Sequence, residues 1–125
     1  MNSFLTNDTK AIILLCGVLG KDRSIQPLSQ LEYNALARWL VREKLRPESL
    51  LSMNRLRDAA VGAGIEQGRL EKLLDRGVQL GFAVEEWQRS GLWVISRSDA
   101  EYPARYKNHL REKAPPILFG AGDKS

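Results

Sequence analysis

The chain has 125 residues, 43% hydrophobic and 27% charged, with 19 Lys and Arg against 15 Asp and Glu for a formal net charge of +4. Such proportions fit one ordinary globular domain, or a small domain plus the start of another, and exclude a disordered chain. A single cysteine, Cys16, leaves no internal disulfide, and a single histidine, His109, leaves no cluster for zinc, so no metal or other cofactor is expected.

Asp8 or Thr9 is placed to cap a first helix carrying Ala11, Ile12, Leu14, Leu15, Val18 and Leu19, with Gly20 as its stop. Apolar on nearly every side, it is expected to be the central helix. The run from Ala11 to Val18 is far too short to span a bilayer, and Asn7 and Asp8 precede it where a secretory signal would carry positive charge. A cytoplasmic location with no membrane partner follows as the expectation. The polar segment Lys21 to Pro27 reads as a loop. Leu28-Ser29-Gln30-Leu31-Glu32 then offers a hydrophobic residue, a Ser cap and a Glu three residues on, the pattern of a capping box. It opens an amphipathic helix to Leu45, with Leu31, Ala35, Leu36, Trp39 and Leu40 as the apolar stripe and Arg38, Arg42 and Lys44 mostly off it.

Pro47 suits a short helix through Leu51, and a further helical piece from Met53 to Val61 is expected to end at Gly62-Ala63-Gly64. The next begins near Ile65 or Glu66 and carries Leu70, Leu73 and Leu74. Gly77 is expected to end or bend it, after which Leu80, Ala83, Val84 and Trp87 repeat at helical spacing until Gly91. Leu92 to Ile95 reads as a buried strand. Tyr102-Pro103 opens a short helix to about Leu110, and Pro115-Pro116 forces an extended path into a second strand, Ile117-Leu118-Phe119.

The turn Val61-Gly62-Ala63-Gly64-Ile65 has the outline of a helix-hairpin-helix module, in which Gly-apolar-Gly lets backbone amides approach a phosphate. Gly62, Gly64, Arg69 and Lys72 are therefore the candidate DNA-binding residues; the plainer reading is a tight turn between packed helices, and Glu66 would repel a phosphate. Arg38, Arg42, Lys44, Arg46, Arg55 and Arg57 are interleaved with Glu43 and Glu48, which favours a solvated face over a groove. Arg105, Lys107, His109, Arg111 and Lys113 spread around a helix for the same reading. Trp39, Trp87 and Trp93 lie on apolar stripes and read as core before base-stacking platforms, Tyr102 as an anchor of its turn, and Cys16 as an inert small hydrophobe. No nucleophile, acid or base stands at an interpretable spacing, so no enzyme is expected.

Gly91 to Gly122 reads GLWVISRSDAEYPARYKNHLREKAPPILFGAG. A glycine and an apolar run, then Asp99-x-x-Tyr102-Pro103, a basic spacer and Pro115-Pro116-Ile117-Leu118-Phe119-x-x-Gly122 stand in an order that resembles the DprA (Smf) family of DNA-processing proteins. The resemblance implies a mainly α fold: a helical N-terminal domain, SAM-like or helix-hairpin-helix-like, over residues 1–90, and over 91–125 the first β-α-β elements of a Rossmann-like fold with a parallel-type sheet. It further implies a non-enzymatic protein that binds single-stranded DNA and helps load a RecA-type recombinase in DNA uptake, as in natural transformation, or in recombination, and that can form oligomers when full length. In that family the DNA pocket lies beyond the Pro-Pro strand, so no pocket residue carries over. The chain is accordingly expected to be an N-terminal segment or a shortened relative, with an accessory role of its own. The rival expectation is a helical module that recruits a recombination or defence partner without touching DNA, marked by an exposed apolar patch around Leu31 to Leu45.

Overall fold

The computed structural model describes residues 5–19, 25–51, 56–99, 102–103 and 115–121. Among them it is mainly helical, with a two-stranded antiparallel sheet. The first helix, α1 (Asn7–Cys16), is capped by Thr6, whose hydroxyl accepts the Thr9 amide at 3.1 Å. Asp8 and Thr9, the two residues expected as the cap, lie inside the first turn instead. Ala11 to Leu15 are all buried, as befits a helix surrounded by others. It ends earlier than Gly20: Gly17 turns the chain extended, its amide donating to Ile13 O at 2.7 Å, and Val18 is left 63% exposed. The first glycine met is the poorest helix former, so the stop falls there.

The capping box opens α2 (Gln30–Arg42), with the Glu32 amide on Ser29 Oγ at 3.1 Å and the Ser29 amide on Glu32 Oε1 at 2.9 Å. Tyr33, Leu36, Trp39 and Leu40 are its buried face. Leu31 was expected on that face but is 79% exposed: two residues before Tyr33, it falls on the opposite side of the helix. The helix also stops short of Leu45. Lys44 takes the left-handed conformation with φ 57°, the Leu45 amide returns to Leu40 O and the Lys44 amide to Val41 O, closing the end as a Schellman motif without glycine.

A 3-10 helix, Pro47–Leu51, packs on α1. Asp8 joins them, accepting the Glu48 amide at 2.9 Å and Arg46 Nε at 2.6 Å. Then come α3 (Leu56–Ala63), α4 (Gln67–Leu74) and α5 (Gly77–Arg89). Of the two outcomes expected at Gly77, an end or a bend, it is the end: α4 stops at Leu74 and Gly77 begins a new helix. Leu80, Ala83, Val84 and Trp87 of α5 face inward. Arg76, buried between α4 and α5, donates to Leu73 O and Leu14 O, tying both helices to α1. No helix among the described residues is long and apolar enough to cross a membrane.

The strands β1 (Leu92–Ser96) and β2 (Ile117–Ala121) pair antiparallel, Val94 opposite Phe119 and Ser96 opposite Ile117. This corrects the expected parallel-type pairing. The chain doubles back, and the ends of the intervening stretch are pinned together: the Arg97 amide donates to Pro116 O at 3.1 Å and the Tyr102 hydroxyl to Pro115 O at 2.6 Å. Of the helix expected from Tyr102 to about Leu110, Tyr102, which lies in a bend, and Pro103 are described and are not helical, while residues 104–110 lie outside the described residues.

Apolar packing forms two main clusters on either side of α1. Ile12 and Leu15 meet Leu36, Trp39, Leu56, Leu70 and Leu73, whereas Ile13 and Leu14 meet Leu80 and Val94. The second cluster joins helix to strand, so the strand pair is docked on the helical residues through shared apolar contacts.

Candidate functional site

Hydrogen bonds that close helices consume the groups a phosphate would need at the turn after α3. Helix α3 runs through Gly62 and Ala63, past the expected end at Val61, and Gly64 takes φ +71°. The Ile65 amide donates to Ala60 O at 3.0 Å and the Gly64 amide to Val61 O at 3.4 Å, the two bonds of a Schellman closure. Both amides are thereby directed at carbonyls of α3. Gly62 has another purpose: a Cβ there would stand 2.0 Å from Trp39 Cδ1, so its missing side chain is what lets α3 close on α2. Glu66 sits at the N-cap of α4 without capping it by a side-chain bond, and brings a carboxylate to that first turn.

Arg69 points away from the turn. Its guanidinium donates to Glu32 at 2.5 and 2.9 Å, to Gln26 O at 3.0 Å and to Pro27 O at 2.8 Å. It clamps the loop before α2 to α4, and this pair, with the Ser29 amide, holds the Glu32 carboxyl at about 2, below its usual 4.5. Lys72 is exposed beside Glu71 and Asp75 at a trough of about 450 Å³ under Leu50 and Leu51. The four candidates therefore occupy a helix-helix contact, a helix cap, an inter-element clamp and a mixed-charge rim; they do not converge on one cradle.

Of the other basic residues, Arg46 pairs with Asp8, which strengthens its hold on its proton, while Arg42 and Arg57 are exposed. Arg55 and the set Arg105, Lys107, His109, Arg111 and Lys113 lie outside the described residues. Trp39 is buried, and Trp87 meets Phe119 edge-on at 5.2 Å between ring centres. Cys16 is half-buried, and burial pushes its thiol up to about 12, which keeps it protonated and unreactive near neutrality.

The residues of the Asp-x-x-Tyr-Pro segment do converge. The Asp99 carboxylate accepts the Ser96 amide at 2.8 Å and the Thr9 hydroxyl at 2.8 Å on one oxygen, and the Thr6 hydroxyl at 3.3 Å on the other. Ser96 Oγ lies 2.8 Å from Thr9 Oγ1, both buried. The Tyr102 amide donates to Asp99 O at 3.1 Å, and the buried Tyr102 ring sits with Ile95 under the strands. Asp99 thus links the end of β1, the N-terminus of α1 and the turn that carries Tyr102. Sequence reasoning singled out Tyr102, read Thr9 only as a possible helix cap and missed Thr6 and Ser96; Thr6 stands 93 residues from Asp99 in the chain.

No protein-family model, curated protein or solved structure matches the chain.

Proposed function

We propose that this chain forms the helical N-terminal region of a DprA-like DNA-processing protein of the cytoplasm, a mediator that binds single-stranded DNA and assists a RecA-type recombinase. Its own part is accessory: it positions the strands that follow and contacts a partner or, weakly, the DNA backbone. What supports the reading is the Asp99 network. The residues that carry the resemblance, Asp99, Tyr102 and Pro115, are joined by hydrogen bonds into one unit anchored on α1, as expected of a segment whose purpose is to set the chain's path between two parts of a fold. The finer assignments, a SAM-like or helix-hairpin-helix-like helical part and a Rossmann-like continuation, belong to the same proposal.

The test is a fluorescence titration of the chain with labelled single- and double-stranded oligonucleotides at low and moderate salt, repeated with a RecA-type recombinase present. Weak binding, in the tens of micromolar, that falls with salt, or a retained complex with the recombinase, is expected. The absence of both DNA binding and recombinase association at those concentrations would sink the proposal. A second reading, a partner-recruiting module without DNA contact, draws on α5. There Val78 and Phe82, four residues apart on one face, are 72% and 70% exposed. The patch expected on α2 is broken, since exposed Leu31 and Val41 are separated by Arg38 and Arg42. Recombinase association with no DNA binding at either salt would favour this second reading.

A further inference from the structure

Arg97 follows β1 and lies between that strand and α2. Its guanidinium stacks over the Tyr33 ring at 5.1 Å and donates through Nη2 to Asn34 Oδ1 at 2.7 Å, but its buried Nε has no acceptor. Among the described residues no carboxylate pairs with it, in contrast to Arg46, Arg69 and Arg89. A half-buried guanidinium with no carboxylate paired to it favours an arriving carboxylate at its outer nitrogens, since a charge-assisted hydrogen bond there is stronger than a neutral one.

The same guanidinium lines an open cleft of about 380 Å³. Its floor is apolar, formed by Ala37, Leu40, Leu45 and Pro47 with Val41 at the lip, and its polar rim consists of Arg46, Arg97 and Ser98. Asp8 holds Arg46 in place through Nε and Nη2, so Nη1 takes no part in that pair. The geometry points to a docking site for an extended acidic segment of a partner protein, its Asp or Glu carboxylate on Arg97 and Arg46 and a neighbouring Leu or Phe side chain on the apolar floor.

Charge and shape select this occupant over others. Single-stranded nucleic acid needs an aromatic face to stack on, and the Tyr33 ring is 3% exposed and covered by Arg97. The Asp8 carboxylate already bonded to Arg46 also opposes a run of phosphates. A small metabolite would be enclosed, whereas Val41 at the lip is 75% exposed. The inference rests on the partner-contact part of the reading above and not on its DNA part.

The experiment is an amide NMR titration of the whole chain with a short capped peptide of sequence Gly-Asp-Leu-Phe-Gly. Its Asn-for-Asp counterpart and a short oligothymidylate serve as the other arms. Expected are shifts at Ala37, Val41, Leu45 and Ser98 with a Kd on the order of 100 µM, weakened about tenfold in the Asn peptide. Arg97→Gln should reproduce that loss. Should it fail to fold by circular dichroism, Val41→Asp, at an exposed position, is expected to repel the acidic peptide and decides the matter. Equal binding of the two peptides, shifts confined to other surfaces, or oligothymidylate occupying the cleft in preference would each overturn the proposal. The recombinase titration reports on the broader reading separately, since it uses neither peptide.

Discussion

Gly62 and Gly64 are two residues apart, and the physical demands on them differ. At Gly62 the backbone lies so close to Trp39 that any Cβ overlaps the indole; at Gly64 there is open space but φ is +71°. Gly62→Ala is therefore expected to cost about 1–3 kcal/mol as overpacking, and Gly64→Ala about 1 kcal/mol as left-handed strain. Urea denaturation of both variants checks the order, and equal, negligible losses would show that neither glycine is required for the fold. Sequence reasoning saw that glycines here mark a turn, because Gly-x-Gly between helical patterns is a local signal. It had no means of seeing Trp39 against Gly62, a contact between helices. Arg69 gives a second case. Its spacing after the turn suggested a phosphate partner, yet Glu32, whose own role in the capping box was legible, receives it. With the Glu32 carboxyl at about 2 in the folded chain and 4.5 ordinarily, the pair supplies stability that is full above about 4.5 and is lost as pH falls toward 2. Both side chains are partly exposed, so the effect is modest. Urea midpoints measured between pH 5 and pH 2 should fall more steeply for the wild type than for Arg69→Met, and parallel curves would remove the clamp from the account.

Local signals at the scale of elements served best where capping or periodicity is strong. The Ser29–Glu32 box and the inward stripe Leu80, Ala83, Val84 and Trp87 were both readable, because a cap and a helical period are properties of adjacent residues. The end of α1 and the pairing of β1 with β2 were less so. Two short apolar runs separated by a polar stretch look alike whether the chain crosses over or returns. The return is held by Tyr102, whose hydroxyl reaches Pro115 O. Tyr102→Phe is expected to lose about 1 kcal/mol, the net worth of one hydrogen bond, and to speed amide exchange across Ile117–Ala121 more than across α2. Uniform exchange changes would argue that Tyr102 stabilises the whole protein by packing alone.

At the scale of the whole molecule, α1 separates two apolar clusters and belongs to both. Val94 of β1 shares one of them with Ile13, Leu14 and Leu80, so unfolding of the strand pair exposes helix-facing side chains. Val94→Ala is expected to cost roughly 1–3 kcal/mol by loss of buried methyl groups and a small cavity. It should also lower the helical circular-dichroism transition and the tryptophan-fluorescence transition together. Separated transitions would mean that strands and helices fold as independent units.

Among the described residues, the amino-acid order was enough to locate the helical and strand-like stretches, the capping box of α2 and the segment that resembles a known family, since these depend on neighbours along the chain. Tertiary structure alone decided that the strands run antiparallel and that Arg69 belongs to Glu32, Gly62 to Trp39 and Asp99 to Thr9, leaving Arg97 beside an apolar cleft with no carboxylate paired to it among the described residues. Those pairings are set by which faces come together when α1 is buried on all sides, and a buried polar group must take its partner from whatever element the packing brings within hydrogen-bond reach.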